Sequence, residues 1–470
     1  MSPLPERRRR EEPLDLSSRR SIHVVGAGGP GMAPLAVVLA GLGHRVSGSD
    51  VRESANLDVV RAAGATVTVG HDAHLVDDVD IVVYSTAVPE HNVELVRARE
   101  AGKTVRHRSG ALEALCRGHV TIGVAGTHGK STTTALLTHM LTACGADPSC
   151  IVGADVPGMS AGARSGSSGL LVLEADESDG TLEMLVLEHL VVTNVDVDHL
   201  DYFGSFEALQ DAMREVIEGV PGVVVMNADD SVSAGIARRL TRGDVRTFGR
   251  RDDADVRLVS CEAVSDGLDV VVAMGAREMR CVLPLRGEHN AANLCAAVAI
   301  VDGLGADVQT AMRSVGTFRG VQRRFTERGT FNGSLLVDDY AHLPAEIEAA
   351  IAAVRSHPNV TGRVVAVFQP NRYHRIAAMA DAYAECFRGA DTVVICDIYA
   401  SGTPVIEGVT GEMVWRAVAD AMPGADVVWA PERHDVVAEV ARRLVPGDGC
   451  ISMGCGDIET FPDDLMGRAR

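Results

Sequence analysis

Aromatic side chains are scarce in this sequence of 470 residues: Phe, Tyr and Trp together make up 4%, with two Trp and six Tyr. Large rings therefore cannot fill the interior, and the core must come from Val, Leu, Ile and Ala, the usual filling of layered α/β domains. Uninterrupted apolar runs of about 20 residues, the length that crosses a bilayer, are missing. No apolar segment follows the basic residues at the amino terminus, as a secretory signal requires. We therefore expect a cytoplasmic protein. Ten cysteines are present, yet none forms a CxxC pair or the Cys/His spacing of a zinc site. They read as reduced thiols, mostly core filler. Positive charge is in deficit, with 44 Lys and Arg against 64 Asp and Glu and a formal net charge of -20. That balance argues against nucleic acid or an anionic membrane surface as the main partner.

What is present is an ordinary globular composition, 46% hydrophobic and 23% charged, at a length that suggests about three domains. Residues 1–20 are polar and charge-blocked and read as a disordered tail, with Arg7 to Arg10 a candidate docking patch. From Ser21 onward short β-branched runs alternate with amphipathic stretches, as in SIHVVG, MAPLAVVLAGLG and HRVSGSD. This is the pattern of βαβ units around a parallel sheet. A second such block opens at VTIGVAG (Val120 to Gly126) and a third follows FRGVQRRF. Between Val245 and Pro284 the alternation LDVVVAM and MRCVLPL predicts antiparallel strands added to the α/β core.

Two glycine-rich turns carry the chemistry. Gly26, Gly28 and Gly31 form GxGxxG between an apparent strand and an apparent helix, and Asp50 ends the next strand. Glycines let the backbone approach a pyrophosphate, and the carboxylate can accept from a ribose hydroxyl or a base. A tight turn needing glycine for packing is the alternative. The second turn, GTHGKST (Gly126, Thr127, His128, Gly129, Lys130, Ser131, Thr132), follows a clean apolar strand and opens a helix. Its amides would cradle phosphates, Lys130 supplies a point charge and the Ser131 hydroxyl can ligate Mg²⁺. The general GxxxxGK[ST] pattern would need glycine at 124, where Val124 stands, so this is a shorter variant.

A phosphate loop needs an acidic partner for its metal. LLVLEADESD offers Glu174 at the end of an apolar run, followed by Asp176, Glu177 and Asp179; hard carboxylate oxygens suit Mg²⁺, and Glu174 is the first choice. Glu177 and Asp179 are solvated or support a substrate loop. In NVDVDHLDYFG, His199 stands among Asp196, Asp198 and Asp201 at an expected strand end, which gives it a metal or substrate role.

Taken together these motifs resemble the Mur ligase family, the ATP-dependent amino-acid ligases of bacterial cell-wall synthesis. The specific marks are GTHGKST, EADESD, DHLD, GEHNAAN (Gly287 to Asn293), QRRF (Gln322 to Phe325), DDYAHLP (Asp338 to Pro344), FQPNRYHR (Phe368 to Arg375) and DIYASG (Asp397 to Gly402), spread from Ser21 to about Ile458. VVGAGGPGM with DDYAHLP, FQPNRY and DIYASG is most similar to the member that adds the first amino acid. The resemblance implies an α/β chain of three domains. These are a Rossmann-like domain for a UDP-sugar over 21–118, a central P-loop parallel-sheet domain with added antiparallel strands for MgATP over 119–318, and a Rossmann-like closing domain over 319–470. Oligomeric state is left open.

The resemblance also implies roles. Gly28, Gly29, Gly31, Asp50, Ser85 and Thr86 would bind the UDP-sugar; Lys130 and Ser131 would hold phosphates and Mg²⁺, with Glu174 and His199 as further metal ligands. His289 and Asn293 would contact adenine, and Arg324 and Asp338 would reach the nucleotide. Tyr340, His342, Arg372 and Arg375 would shape the amino-acid end and clamp its carboxylate; Lys130, His199, Arg324 and His342 are the catalytic candidates. The implied reaction phosphorylates the lactyl carboxylate of UDP-N-acetylmuramate with ATP and lets L-alanine attack the acyl phosphate. The segment Gly320 to Phe325 is the expected hinge. Two departures stand out: Leu343 where relatives often carry a second histidine, and Cys455 where a small residue such as alanine is common. Competing readings are a sister ligase for another amino acid or a recycled peptide, a nicotinamide oxidoreductase and a nucleotide-gated regulatory protein.

Overall fold

In a computed structural model the described residues are 12–468. The suggested docking patch Arg7 to Arg10 lies outside them. The chain forms two compact units. The larger takes residues up to 260 with 270–281 and 292–321, and the smaller takes 261–269, 282–291 and 322 onward.

The larger unit begins with a five-stranded parallel sheet of β1 (Ser21–Val25), β2 (Arg45–Asp50), β3 (Thr66–Val69), β4 (Ile81–Tyr84) and β5 (Thr104–His107), in the order β3-β2-β1-β4-β5. The order reverses between β1 and β4, and in such sheets ligands bind in the crevice at the carboxyl ends of the strands there. Residues 12–20, assigned to a tail by their charge, precede β1 with Leu14 and Leu16 packed against the apolar core and Arg20 paired to Asp15 at 2.7 Å. Two leucines are enough to lay this stretch on the domain.

A second sheet has ten strands. They are β6 (Val120–Ala125), β7 (Ser149–Ile151), β8 (Ala163–Arg164), β9 (Leu170–Glu174), β10 (His189–Val192), β11 (Val224–Asn227), β12 (Val245–Gly249), β13 (Val256–Val264), β14 (Gly267–Met274) and β15 (Arg277–Leu283), ordered β15-β14-β13-β12-β11-β10-β6-β9-β7-β8. Its centre is parallel. The alternating segments near 245–284 do form added strands, but β12 and the start of β13 pair in parallel, so the departure from the α/β pattern begins only beyond them. β14 and β15 are joined by the two residues Gly275 and Ala276, a connection only an antiparallel hairpin allows.

The helix Ala33–Gly41 is apolar all round and buried from Ala33 to Leu39. A helix of that kind must be covered on all sides, and it packs on β2 of the first sheet and on β7 and β8 of the second. One apolar core accordingly runs from Ile22 to Ile236.

The smaller unit carries a six-stranded sheet of β16 (Thr326–Phe331), β17 (Ser334–Asp339), β18 (Val364–Phe368), β19 (Thr392–Ile395), β20 (Asp426–Trp429) and β21 (Gly449–Met453), ordered β16-β17-β21-β18-β19-β20 with only the edge strand β16 antiparallel. Its central strands are buried on both faces, as a parallel sheet covered by helices requires. The helices Pro344–Arg355 and Glu412–Ala421 contribute to the core on one face, and Arg433–Arg443 and Phe461–Gly467 to the core on the other.

Candidate active site

The phosphate loop leaves β6 at Ala125 and turns at two glycines with positive φ, 124° at Gly126 and 81° at Gly129. The helix Lys130–Ala143 starts directly after Gly129, so its first amides face the loop. Residues from the end of β10 hold the loop. Thr193 Oγ1 and Asn194 Nδ2 donate to the His128 carbonyl at 2.5 and 3.0 Å, and Asn194 Oδ1 accepts from the His128 amide at 2.8 Å. His128 Nε2 lies 3.2 Å from Asp196. Asn293 packs on the other side, where a Cβ at Gly129 would come within 2.6 Å of its Oδ1. Asn293 thus backs the phosphate loop, whereas the ring of His289 folds over Gly287 and approaches Asn290 Nδ2 at 3.1 Å. Both residues stand on the helix Glu288–Gly303, four positions apart.

Strand register delivers the acidic partner. Glu174 on β9 pairs with Val124 on β6, two residues before the loop. Ser131 Oγ lies 3.0 and 3.1 Å from the Glu174 carboxylate oxygens, and the Gly153 amide donates to the same carboxylate at 2.8 Å. Lys130 Nζ donates to the Gly126 carbonyl at 2.7 Å and to Glu177 at 2.9 Å. Burial works against the Lys130 charge, but Glu177, Asp176 and Glu174 outweigh it and hold the ammonium above its ordinary range. Glu177 is buried, which pushes its carboxyl up despite Lys130. Expected to be solvated or to support a substrate loop, it is instead the loop lysine's partner.

His199 does not end a strand. β10 stops at Val192, and His199 sits with φ 54° as the cap of the short helix Leu200–Phe203. Its Nε2 lies 3.2 Å from Asp198 and 3.8 Å from Glu177. Among the described residues, ligand atoms of Asp176, Glu177 and His199 lie within 4.8 Å of one another. The structure therefore pairs Ser131 with Glu174 and groups His199 with Asp176 and Glu177. The sequence had put Ser131, Glu174 and His199 in one set.

At the first glycine turn the Gly28 amide donates to Asp50 Oδ2 at 2.9 Å, so this carboxylate also fixes the turn. Gly29 closes the turn onto the Gly26 carbonyl. Ser85 and Thr86 follow β4, and Thr86 Oγ1 lies 3.3 Å from Asp179. Arg108, absent from the sequence reading, begins the helix after β5. Its guanidinium donates to Asp176 at 3.0 Å and to Asp179 at 3.1 Å, and it lies where a Cβ at Gly31 would point. Burial opposes the charge of Asp176, yet Lys130, Arg108 and His199 hold its carboxyl well below the usual range. The clue was positional: Arg108 follows the carboxyl end of a parallel strand, where ligand sites lie.

In the smaller unit β17 and β21 are in register from Leu335 with Gly449 to Asp339 with Met453, which brings Tyr340 and the turn after Met453 to the same sheet edge. Asp338 is fully buried and is paired by Arg323 at 3.2 Å, not by its neighbour Arg324. Arg323 and Phe325 both have positive φ, 57° and 53°. Arg324 lies 5.2 Å over the Tyr340 ring. Phe325 and Ala341 amides donate to Asp339 at 2.7 Å each, and its buried carboxyl is pushed up to about 6. His342 Nδ1 lies 3.1 Å from Glu346; burial disfavours its charge, but Cys455 and Glu346 outweigh that and raise it to about 10. Leu343 is buried in place of the second histidine. Arg372 is half-buried with φ 62°, while Arg375 is buried and donates to Asn371 at 2.9 Å. The two arginines are not an exposed matched pair.

A shortened phosphate loop, with carboxylates on the neighbouring strand end of a parallel sheet, defines a P-loop nucleotide-binding protein. Family descriptions narrow this further: the Mur ligase family catalytic domain matches residues 21–120, the Mur ligase middle domain 124–301, and the Mur ligase glutamate ligase domain 323–456. The chain belongs to the Mur ligase family. A UDP-N-acetylmuramate--L-alanine ligase of Bradyrhizobium diazoefficiens is 39% identical over 456 residues, covering 95% of this chain and 97% of that protein. The protein of the same name from Agrobacterium fabrum is 38% identical, covering 93% and 94%. The crystal structure of UDP-N-acetylmuramate-alanine ligase from Thermotoga maritima superposes with a TM-score of 0.79 at 26% identity, covering 96% of this chain and 99% of that one. A murein peptide ligase from Psychrobacter arcticus shares the fold, with a TM-score of 0.68 at 22% identity.

Proposed function

We propose that this protein joins L-alanine to the lactyl carboxylate of UDP-N-acetylmuramate, converting ATP to ADP and phosphate. The observation that carries the reading is Arg108, which lies against the first glycine turn and holds Asp176 and Asp179 beside the phosphate loop. A UDP-sugar on the first turn and ATP on the loop would then meet at that arginine. The relatives named for this reaction, matched over nearly their whole length, support it.

An amide cannot form from a free carboxylate, so one carboxylate oxygen must first become a leaving group. Transfer of the γ-phosphoryl group of ATP to the carboxylate achieves this, but it brings two anions together. Lys130 and the amides that open its helix hold positive charge at the loop where that repulsion must be offset. Ser131 and Glu174 present hard oxygen donors next to each other, the chemistry that suits Mg²⁺, and Asp176, Glu177 and His199 form a second donor set. Mg²⁺ held by these residues would supply positive charge to offset that repulsion.

The neutral amino group of L-alanine then displaces phosphate from the acyl phosphate. Charged at neutral pH, His342 acts toward a carboxylate or a developing oxyanion and does not accept a proton. Arg372 is the better placed of the two arginines to grip the alanine carboxylate, with Tyr340 nearby on its own sheet edge as a wall of the site.

Phosphate release from ATP with both substrates tests the proposal. Release should require UDP-N-acetylmuramate and L-alanine together. Release that ignores L-alanine but follows a peptide would instead make this chain a peptide-recycling ligase.

A further inference from the structure

The first glycine turn takes its shape from the end of β2. The Gly26 and Ala27 amides both donate to the Ser49 carbonyl, at 2.8 and 2.9 Å, and the Gly28 amide donates to the side chain of Asp50. Successive amides of the turn are therefore held by two adjacent residues. The Asp50 carbonyl accepts from the Gly70 amide at 2.7 Å, which ties the stretch after β3 to the same strand end.

Behind that strand end lies a buried carboxylate. Glu94, in the first turn of the helix Val93–Glu100, is fully buried, and its helix adds Leu95 and Ala98 to an apolar core with Val25, Val76 and Val82. Ser49 Oγ donates to Glu94 Oε2 at 2.6 Å, and the Asp72 amide donates to Oε1 at 3.2 Å. His23 Nε2 lies 3.3 Å from Oε2, and His71 Nδ1 lies 3.1 Å from Oε1. An ionised carboxylate only accepts, so all of these groups present a hydrogen to it. Burial works against the Glu94 charge, but the hydrogen bonds from His23 and Ser49, with His71 nearby, outweigh it and hold the carboxyl below its ordinary range. A buried charge is costly to keep, and is kept only with such a set of donors.

Alternation along β2 separates two uses of RVSGSD. Ser47 and Ser49 share one face of the sheet, where Ser49 meets Glu94 and Ser47 Oγ lies 2.9 Å from Nδ1 of the buried His23. Gly48 faces the other way, where a Cβ would come within 2.7 Å of the Ala27 Cβ. The strand is polar toward Glu94 and bare toward the turn.

We propose that Glu94 is a positioning residue for the UDP-sugar. Through the Ser49 hydroxyl and the His71–Asp72 stretch it clamps the end of β2 from both sides, and that strand end holds the leading amides of the first glycine turn. Glu94 acts through these residues and touches no substrate. The link to a UDP-sugar rests on the function proposed above; the clamp on the turn does not.

Glu94→Gln tests it, because the variant keeps the shape but offers only one acceptor oxygen. The Asp72 amide can only donate, so the Gln oxygen stays with it and the new NH₂ faces Ser49 and His23. KM for UDP-N-acetylmuramate should rise about tenfold, with kcat and the KM values for ATP and L-alanine unchanged within about twofold. Hydrogen exchange in the unliganded chain should quicken about tenfold in peptides covering Gly26 to Gly28 and stay unchanged over Gly126 to Thr132. A fall in kcat with that KM unmoved, or exchange that quickens equally at both loops, would overturn the proposal. Ser49→Ala removes the hydroxyl link alone, should raise the same KM, and decides the matter if Glu94→Gln does not fold. Ser47→Ala, at the far side of His23, should change neither readout; an effect equal to that of Ser49→Ala would reduce the cluster to ordinary packing. The exchange measurement needs no substrate, so it still decides the role of Glu94 if phosphate release proves independent of UDP-N-acetylmuramate, the outcome that would sink the ligase reading instead.

Discussion

The ammonium of Lys130, partly buried at the phosphate loop, lies 2.9 Å from the carboxylate of the buried Glu177. The Lys130 charge is thus already paired inside the protein. If Lys130 holds a phosphate of ATP, as proposed above, ATP would have to take it over from Glu177, which would leave that carboxylate to Asp176 and His199.

Lys130→Ala should reduce phosphate release by about a hundred- to a thousandfold, the cost of losing one charge-stabilising donor, with UDP-sugar binding largely kept. It also leaves Glu177 buried without its cation. A buried carboxyl with a raised pKa destabilises the fold once it loses its proton, so the melting-temperature gap to the unaltered protein should widen from pH 5 to pH 8. A gap that does not change with pH would mean that Glu177 is not buried against Lys130.

Arg108→Ala removes the shared partner of Asp176 and Asp179. We expect the melting temperature to fall and UDP-sugar binding to weaken, because two carboxylates are left facing each other beside the first glycine turn. Arg108→Lys should not restore it, since a point charge cannot bridge both carboxylates as the planar fork does. Calorimetric titration with UDP-N-acetylmuramate provides the check.

Gly126→Ala places a Cβ on a residue at φ 124°, against Thr193 Oγ1 and 2.7 Å from the Asn194 carbonyl oxygen. Strain of about 1–3 kcal/mol falls on the residues that clamp the loop. ATP affinity should drop in equilibrium binding, while the UDP-sugar site, built on another sheet, should be almost unchanged.

Stability in the alkaline range should depend on His342. Its pKa rises from 6.5 to about 10 in the folded chain, so its contribution is fully present below about pH 6.5 and is lost as pH rises through 10. Melting temperature should fall across that window, and His342→Gln should flatten the fall. Asp339, raised from 3.8 to about 6, acts in a lower window. Its contribution is complete below 3.8 and fades as pH rises through 6.

How much of this was legible in the sequence follows from distance along the chain. GTHGKST and Glu174 were readable because a strand end, a loop and a helix start are local events, and parallel register then brings neighbouring strand ends together. Arg108 was not readable, since its partners Asp176 and Asp179 lie on another sheet. QRRF was half readable: Arg324 and Asp338 were both expected to reach the nucleotide, and the pairing of Asp338 with Arg323, a residue of positive φ, was not foreseen. His199 was placed at a strand end and in one set with Ser131 and Glu174, because nothing in LVVTNVDVDHL marks where β10 stops or shows that Asp176 and Glu177 lie beside it.

The division of the chain has a consequence for cutting and for synthesis. Residues 261–269 and 282–291 belong to the smaller unit, yet they precede 292–321, which completes the larger one. A nick after Val321 therefore cannot release two intact halves, since the amino-terminal fragment would keep two segments of the smaller unit. On the ribosome these early segments of the smaller unit emerge before residue 322 onward, the bulk of that unit, has been made.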